Sequence, residues 1–411
     1  MAIILPFKAL RPQAQFAKQV ASRPYDVLNS KEAKAEVRGN PFSFLHITKP
    51  EIDLPDGIDL YDDAVYEKAK ENLQAFMQRD VLFQENKQCY YIYRLIMNGH
   101  SQTGLVSTSS VKDYENDIIK KHEFTRPEKE EDRIKHMKVC GAQTGNVFLA
   151  YRDVDDLNHL VEKCQADKSP IYDFITDDEI QHTVWIINED AAIKTISDIF
   201  QQQVPCTYIA DGHHRAASAA KVKNAWGKEA PESAGYFLTT LFPASQLRIM
   251  DYNRVVKDLN GHTAEAFLHK LSEDFIVKEE GKTPVKPESP HSFGMYLAGK
   301  WYLLTAIAGK FDDNHPIASL DVSILSRLIL EKHLNIMDQR TDKRIDFVGG
   351  IRGLGALQKQ VDSEEMQLAF SLYPVTMEQL FAVADSGEVM PPKSTWFEPK
   401  LRDGLLTHML S

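Results

Sequence analysis

The sequence predicts a mixed α/β protein, of the α+β type, with about two domains. Strand-like runs of β-branched and aromatic residues, such as residues 88–97 and 235–242, alternate with helix-like stretches such as the amphipathic segment 63–79. The length of 411 residues corresponds to about two domains of ordinary size. Hydrophobic residues make up 43% of the chain and charged residues 26%, which is typical of folded globular proteins.

Charge and composition exclude several classes of protein. The net charge of −11 argues against sequence-independent nucleic-acid binding, which requires a basic face. No apolar run approaches the roughly 18 residues of a membrane span, and the first residues lack the basic start of a signal peptide. The four cysteines lie far apart, without the spacing of a zinc site. We therefore expect a cytoplasmic protein that binds neither nucleic acid nor membranes; its oligomeric state is left open.

The first predicted elements are a buried strand at residues 2–7 and a rigid elbow at residues 23–26. Pro24 restrains Arg23 to an extended backbone, so the elbow is not helical. Residues 42–47 are typical of a strand.

A β-hairpin is predicted at residues 88–109. Its strands are residues 88–97 and 104–109, and the dipeptide Asn98-Gly99 is a strong turn signal. Residues 111–119 are predicted to form the helix that follows.

A polar cluster opens at residues 120–127 and continues as a charged helix at residues 128–138. His122 and Glu123 lie in the predicted link between two helices, a position from which a side chain can enter a cleft. Two sequence neighbours seldom aim at one atom, so we predict that Glu123 is the acid/base and that His122 supports it. Four charged or titratable residues of the helix fall at spacings of three and four and therefore share one face: Lys129, Asp132, Arg133 and His136. This face either belongs to the polar cluster or is a solvated face with ion pairs.

The central feature of the sequence is the DGHHR motif, residues 211–215. Residues 204–209 are typical of a short buried strand, and residues 216–226 of an Ala-rich helix closed by Gly227. The motif is therefore predicted to form a strand-to-helix turn. Gly212 allows positive φ or the close approach of a ligand, and the helix N-terminus favours an anion.

The polar side chains of this motif predict phosphate chemistry. Arg215 offers a planar fork for phosphate oxygens, and His213 and His214 add hydrogen-bond donors or proton carriers. Asp211 would repel an anion unless it accepts a proton from an attacking hydroxyl or holds a metal ion. The alternative is that Asp211 only caps the helix. No Walker-type phosphate loop occurs in the chain.

The residue pattern of the sequence changes after Pro243. We therefore predict a core at residues 1–245 and a C-terminal α/β region at residues 246–411 that returns to the active site. The charged, proline-bearing stretch 278–290 is the best candidate for a linker.

A third polar cluster lies at residues 390–395, where two prolines precede Lys393, Ser394 and Thr395. Prolines stiffen the backbone, and a flexible tail would not need such stiffening. This segment is predicted to be pre-formed and to return to the active site; a surface loop is the alternative.

The DGHHR turn before an Ala-rich helix resembles the phosphate-gripping turn of the ParB/sulfiredoxin fold, and most closely that of the free serine kinases. Other segments resemble landmarks of a long branch of that family, of about the length of this chain, whose members resemble pyrophosphate-dependent serine kinases. These landmarks span nearly the whole chain: PFKALRP at residues 6–12, RPYDV at 23–27, HEFT at 122–125 with Asp132 and Arg133, and MPPKST at 390–395.

The resemblance implies a ParB/sulfiredoxin-like core and a phosphotransferase that interconverts free L-serine and phosphoserine. The predicted donor is pyrophosphate, because no glycine-rich nucleotide fingerprint appears, and the predicted cofactor is Mg²⁺, with Asp211 as a candidate ligand. The predicted catalytic residues are Glu123, Asp211, His213, His214 and Arg215. The predicted substrate- and phosphate-binding residues are Arg23, Tyr25, Asp26, His122, Thr125, Arg133, Gly212, Lys393, Ser394 and Thr395.

Two other functions fit the same residues. One is a metal-dependent phosphatase or hydrolase, with Asp211, Glu123 and the two motif histidines as metal ligands. The other is a non-enzymatic, nucleotide-binding module of the ParB type.

Overall fold

The computed structural model describes residues 1–410 and contains helices and β-sheets, which confirms the mixed α/β class. The strands of the described chain are, in order, β1 Ile4–Leu5, β2 Ala9–Pro12, β3 Leu82–Gln84, β4 Tyr90–Met97, β5 His100–Ser110, β6 Ile119–Lys120, β7 Ala142–Gln143, β8 Val147–Tyr151, β9 Tyr172–Ile175, β10 Gln181–Ile187, β11 Thr207–Asp211, β12 Tyr236–Pro243, β13 Ile249–Met250, β14 Tyr252–Val256, β15 Phe275–Gly281, β16 Ser292–Leu297, β17 Lys300–Ala306, β18 Ile345–Gly349, β19 Leu368–Leu372, β20 Trp396–Phe397 and β21 Thr407–Met409.

The α-helices of the described chain range from single turns to four-turn helices. They are α1 Ala17–Val20, α2 Ser30–Glu36, α3 Leu45–Thr48, α4 Asp63–Gln78, α5 Val111–Glu115, α6 Pro127–Cys140, α7 Asp155–Asp167, α8 Asp190–Gln203, α9 His213–Trp226, α10 Ala264–Leu271, α11 Asp321–Leu325, α12 Leu354–Asp362 and α13 Met377–Ser386.

The chain divides into two compact units. Unit 1 comprises Met1–Leu247 together with the segment from Pro399 onward, and unit 2 comprises Arg248–Glu398. The last segment of the chain is therefore part of unit 1, although it follows unit 2 in sequence.

Unit 1 is built on a mixed sheet of nine strands. Eight of them follow the order β6-β11-β8-β12-β5-β4-β10-β9, and β1 pairs with β5. The pairs β6–β11 and β8–β12 are parallel, whereas the others are antiparallel. The parallel pairs bring β6 and β11 to one edge, so the residues that follow these two strands leave the sheet side by side.

The helix α9 packs closely against this sheet because its inner face is made of small residues. Ala216, Ala219 and Ala220 share one core cluster with Leu149 of β8 and Leu241 of β12. Residues without long side chains let a helix backbone approach the sheet, and α9 is thereby held in a fixed position at the end of β11.

A second sheet of unit 1 has the order β3-β2-β21-β7. Its strand β21 comes from the C-terminal segment and pairs with β2 at Ala9–His408 and with β7 at Gln143–His408. This pairing anchors the last residues of the chain next to the N-terminal strands.

Unit 2 is built on an antiparallel sheet of six strands in the order β15-β17-β16-β19-β14-β18, with β13 and β20 as a separate pair. Its core contains the fully buried Trp301 and residues of α12.

The predictions for residues 42–47 and 111–119 are wrong. Residues 42–47 do not form a strand, because the chain turns into α3 there and the hydroxyl of Ser43 accepts a hydrogen bond from the Leu45 amide at 3.3 Å. The predicted helix 111–119 ends at Glu115, since Asp117 adopts φ +58° and the chain then enters β6. Glu123 therefore follows a strand rather than a helix.

Candidate functional site

The DGHHR motif lies at the end of β11 and the start of α9. A β-bulge between Ile209 and Asp211 shifts the register of β11 against β8, and bulges are known to redirect side chains. Gly212 adopts φ +98°, which other residues rarely tolerate. A Cβ atom on Gly212 would also lie 3.4 Å from the Cα of Val147. The bulge and the glycine together turn the chain from sheet to helix within one residue.

The segment 121–126, which we call the HEFT loop, is hydrogen-bonded to the first turn of α9. The backbone amide of His122 donates to His213 Nε2 at 3.4 Å, and that of Arg126 donates to His214 Nε2 at 3.0 Å. The two histidines of the motif thus hold the loop at both of its ends.

A buried carboxylate fastens the HEFT loop further along α9. The hydroxyl of Thr125 donates to Glu130 of α6, and the same carboxylate pairs with Lys221 of α9. The hydroxyl of Ser218 donates to the carbonyl of Glu130 at 3.1 Å. Glu130 belongs to the acidic run of the predicted charged helix, for which a solvated face was one alternative; in the structure it is buried, and these partners offset the cost of its burial.

His213 is neutral and faces Glu123. Its Nε2 accepts the His122 amide, so its ring proton is on Nδ1, and Nδ1 lies 3.7 Å from Glu123 Oε2. This distance is longer than a hydrogen bond. Burial lowers the pKa of His213 well below its ordinary value, and the neighbouring His122 lowers it further. The side chain of Glu123 is 39% exposed, so a ligand can reach the carboxylate.

His122 is packed edge-on against His213. The ring centroids are 4.5 Å apart with an interplanar angle of 86°. Burial lowers the pKa of His122 to about 4. Within residues 1–410, its buried Nδ1 has no hydrogen-bond partner.

Asp211 forms an ion pair with a lysine from the C-terminal segment. Lys400 Nζ lies 2.6 Å from Asp211 Oδ2. Burial alone would raise the pKa of Asp211, but the charges of Lys400 and Arg215 outweigh burial and hold it well below its ordinary value. Asp211 is therefore an ionised carboxylate whose charge is compensated within unit 1.

Arg215 is buried under the turn and held by three groups. It donates to the carbonyl of Asn146 at 2.6 Å and to Asp26 Oδ1 at 3.2 Å, and its guanidinium lies 5.4 Å from the ring centre of Tyr25. Burial would lower its pKa, but Asp26 and Asp403 raise it above the ordinary value. Arg215 is a fixed cation at the start of α9.

The ring of Tyr25 joins Arg215 to Arg133. The guanidinium of Arg133 lies 4.0 Å from the Tyr25 ring centre, within the range of a cation–π contact, and pairs with Asp132 at 2.7 Å. Burial raises the pKa of Tyr25 to about 12, against the opposing effect of Arg133. The predicted elbow 23–26 thus reaches the DGHHR motif through Tyr25 and Asp26, although these two residues begin a 3₁₀ turn over Tyr25–Val27 and the elbow is extended only up to Pro24.

A small cavity of about 20 Å³ lies between these groups. It is lined by Tyr25, Thr48, Arg133, His136, Met137, Thr144, Gly145, Arg215 and Asp403. A volume of this size admits one water-sized group.

Asp403 is the least expected member of this lining. It is 2% exposed, and neither carboxylate oxygen accepts a hydrogen bond of good geometry from the residues that the structure describes. Burial raises its pKa to about 6, against the opposing effect of Arg215. Its backbone is fixed by two hydrogen bonds with Ser22, at 2.9 and 3.1 Å.

The predicted residues of the third cluster lie in unit 2. The Lys393 ammonium is 5.8 Å from the ring centre of Tyr252, and Lys393 adopts φ +58°. The Ser394 hydroxyl donates to the carbonyl of Pro391 at 2.7 Å. The fully buried Arg254 donates to the carbonyl of Pro392 at 3.2 Å, so the turn is held from inside unit 2. Thr395 is half-buried just before β20.

Most of the predicted residues of unit 1 meet around the motif. The exception is Arg23, whose Nε donates to Glu36 at 2.8 Å on the surface. Lys400 and Asp403 were not predicted, because their partners are far away in sequence. The only signal was the charged run Lys400-Leu401-Arg402-Asp403 close to the C-terminus. The catalytic and binding roles of all these residues stay predictions.

A metal site was tested against the donor groups present. Throughout residues 1–410, no group of three or more His, Cys, Asp or Glu side chains is arranged to hold a metal ion. Mg²⁺ needs less than such a cage, because it keeps several waters and uses one or two carboxylates together with substrate phosphates. Asp211, at the start of α9, fits this second mode.

The chain was compared with known proteins. The model of the family described as "Protein of unknown function (DUF1015)" matches residues 4–323. No curated protein matches the chain. In the part of the chain that the structure describes, no helix has both the length and the apolar character needed to cross a bilayer.

Among solved structures, a mutant free serine kinase in complex with AMP is 13% identical, with a TM-score of 0.38, and the match covers 72% of this chain and 86% of that one. A conserved hypothetical protein from Pyrococcus furiosus is 16% identical, with a TM-score of 0.36, and covers 73% and 93%. C-terminally truncated SbnI from Staphylococcus aureus is 11% identical, with a TM-score of 0.39, and covers 73% and 85%.

Proposed function

The chain belongs to the DUF1015 family, and we propose that this member is a phosphotransferase that acts on the hydroxyl of free L-serine with pyrophosphate as the donor. The reaction transfers one phosphoryl group from pyrophosphate to the serine oxygen, and gives phosphoserine and inorganic phosphate. The same site would run the reverse reaction.

The observation that carries this proposal is the position of Arg215. A buried guanidinium stands in the first turn of α9, where backbone N–H groups lack helical partners and the helix dipole favours an anion. Phosphoryl transfer depends mostly on positioning and on charge stabilisation, so a fixed cation beside a helix N-terminus suits it.

Glu123 is the proposed base toward the serine hydroxyl. Its carboxylate is accessible to solvent, and the neutral His213 presents Nδ1–H toward it at 3.7 Å. Hydrogen bonds of catalytic groups are often long without substrate and shorten when it binds. In this assignment His213 orients Glu123 and, together with His214, holds the HEFT loop in place, while His122 supports His213 by packing against its ring.

Asp211 is the proposed ligand of Mg²⁺ that enters with the phosphate donor. Bound Mg²⁺ would neutralise charge on the transferred phosphoryl group. Lys400 compensates the Asp211 carboxylate at 2.6 Å and keeps it ionised for this role. Lys393, Ser394 and Thr395 are proposed to contact the substrate, as the resemblance to serine kinases implies.

Pyrophosphate is proposed as the donor because the cations and the helix N-terminus at the motif suit phosphate oxygens. Arg215 is a buried cation in the first turn of α9 and Arg133 is a second buried cation that shares the Tyr25 ring with it, and the sequence has no glycine-rich nucleotide fingerprint.

Phosphorus NMR on the purified full chain tests the proposal. The protein is incubated with L-serine, Mg²⁺ and one donor at a time: pyrophosphate, ADP or ATP. We expect phosphoserine to appear with pyrophosphate. Phosphoserine with ADP or ATP alone would overturn the donor and keep the kinase. Phosphate release with every donor and without phosphoserine would overturn the phosphotransferase.

A further inference from the structure

The cavity beside Arg215 contains a carboxylate, that of Asp403, which its neighbours satisfy only in part: the backbone of Asn146 and the charges of Arg215 and Arg133 stabilise its ionised form, but burial outweighs them. Asp403 lines the cavity, is 2% exposed, and has two oxygens that accept no hydrogen bond of good geometry within residues 1–410. A buried carboxylate normally has several hydrogen-bond donors, because burial without them is costly. The group that completes this site must therefore bring donors with it.

The charges around the cavity favour a donor that is also a cation. Two guanidinium groups, of Arg133 and Arg215, lie close to three carboxylates, of Asp132, Asp26 and Asp403. With all three carboxylates ionised, this set has a net charge of −1. The other titratable lining groups are neutral: burial lowers the pKa of His136 to about 4 and raises that of Tyr25 to about 12.

The size of the cavity limits what enters it. About 20 Å³ is room for a single water-sized group, so a whole metabolite does not fit inside. A primary ammonium group has the size of a water molecule and carries three donors. The rest of such a ligand would have to remain outside the cavity.

We propose that Asp403 binds the ammonium group of an amino-acid ligand, and that it makes the site selective for amino acids over the corresponding hydroxy acids. The inference deepens the proposed function, because it assigns the group that recognises the acceptor. It rests on that function only for the choice of serine as the probe.

Asp403 is placed for this role by the fold rather than by flexible contacts. Two backbone hydrogen bonds join it to Ser22, directly before the elbow that carries Tyr25 and Asp26. Gly404 follows with φ +91°, and a Cβ there would lie within 3 Å of the Phe44 ring. The C-terminal segment is thereby locked against the N-terminal residues, and the carboxylate cannot withdraw to solvent.

Isothermal titration without any phosphate donor tests this inference. L-serine is compared with glycerate, which has a hydroxyl in place of the ammonium. We expect the wild-type protein to bind serine at least about tenfold more tightly, the ratio typical of a charge-assisted hydrogen bond. In Asp403→Asn this preference should disappear, while pyrophosphate affinity stays unchanged.

The matched control is Asp177→Asn, which removes an equal charge from a fully exposed position and should bind like the wild type. Equal binding of serine and glycerate by the wild type would overturn the inference, as would a folded Asp403→Asn protein that still prefers serine. If Asp403→Asn does not fold, Met137→Phe is measured instead, because the larger side chain narrows the same cavity. The serine affinity of Met137→Phe must then fall, and an unchanged affinity would contradict the proposal.

The titrations and the NMR assay together distinguish the ammonium site from the proposed phosphotransferase activity. Serine binding that depends on Asp403, without phosphoserine formation in the NMR assay, would refute the phosphotransferase and keep the ammonium site. Transfer to glycerate as efficient as transfer to serine would refute the ammonium site and keep the phosphotransferase.

Discussion

Lys400 Nζ lies 2.6 Å from Asp211 Oδ2, and this contact joins the C-terminal segment to the end of β11. Asp211 and Lys400 are 189 positions apart in sequence. An acidic residue directly before the proposed anion site would repel phosphate, and Lys400 offsets the Asp211 charge. The pair explains how a carboxylate would be tolerated beside that proposed site.

Lys400→Met should weaken pyrophosphate binding by roughly tenfold or more, because it leaves the Asp211 charge uncompensated next to the phosphate. Isothermal titration measures this affinity directly. The matched control is Lys194→Met on the surface of α8, which should bind normally. Unchanged affinity in Lys400→Met would mean that the ion pair is only structural.

Glu123→Gln should lower kcat by about 10²- to 10⁴-fold, the usual contribution of a general base, with little change in serine affinity. Steady-state kinetics with varied serine separates these two effects. Asp211→Asn should instead raise the concentration of Mg²⁺ needed for half-maximal rate. Full activity in Glu123→Gln together with no activity in Asp211→Asn would reverse the two assignments.

The parts of the fold predicted correctly are those that short-range chemistry determines. The Asn98-Gly99 hairpin is confirmed, since both residues adopt positive φ and Met97 pairs with His100. The strand-turn-helix around Gly212 is confirmed, because the glycine and the Ala-rich run after it each favour one local structure. The register of the bulge before Asp211 depends on β8, and the sequence alone does not reveal it.

Features that depend on long-range contacts were missed or misjudged. The proposed linker 278–290 is wrong in its first part, because Lys278 and the residues after it extend β15 within unit 2. Val285 in the same stretch packs into the core of unit 2. Lys400 and Asp403 are ordinary surface-like residues in the sequence, and the segment that carries them is anchored in unit 1 by long-range pairings, of β21 with β2 and β7 and of Asp403 with Ser22.

Lys393→Ala should reduce turnover with little change in thermal stability, because the Lys393 side chain is exposed and its ammonium lies 5.8 Å from the ring centre of Tyr252, a weak contact. It is a cleaner test than truncation after Asp385, which would also remove β21 and Lys400 from unit 1. Kinetics and a thermal melt are measured on the same sample. Normal turnover in Lys393→Ala would exclude Lys393 from the mechanism. Lys332→Ala would not serve as the control, because it breaks the ion pair between Lys332 and Asp274.

Acid should destabilise the protein below about pH 6.5 through its buried neutral histidines. Burial lowers the pKa of His122 to about 4 and that of His182 to about 3. The unfolded chain then binds more protons than the folded one, so stability falls as pH decreases from about 6.5 toward these values. At pH 5 each of these two histidines should lower the free energy of unfolding by about 2 kcal/mol. Urea unfolding at pH 7.5 and pH 5 measures this loss of stability. His182→Gln should lose less stability than the wild type between these pH values. An identical loss would contradict the role assigned to His182.

In the proposed reaction the serine hydroxyl, and not water, takes the phosphoryl group held at Arg215. Phosphorus NMR of the products formed from pyrophosphate and L-serine in ¹⁸O-labelled water tests it most directly, with the wild type, Arg215→Ala and the exposed control Arg340→Ala in parallel. We predict phosphoserine and phosphate without ¹⁸O in the wild type and the control. Arg215→Ala should slow product formation by an amount equivalent to roughly 3–4 kcal/mol of transition-state stabilisation. Phosphate labelled with ¹⁸O and no phosphoserine, or an Arg215→Ala protein as fast as the wild type, would contradict the account.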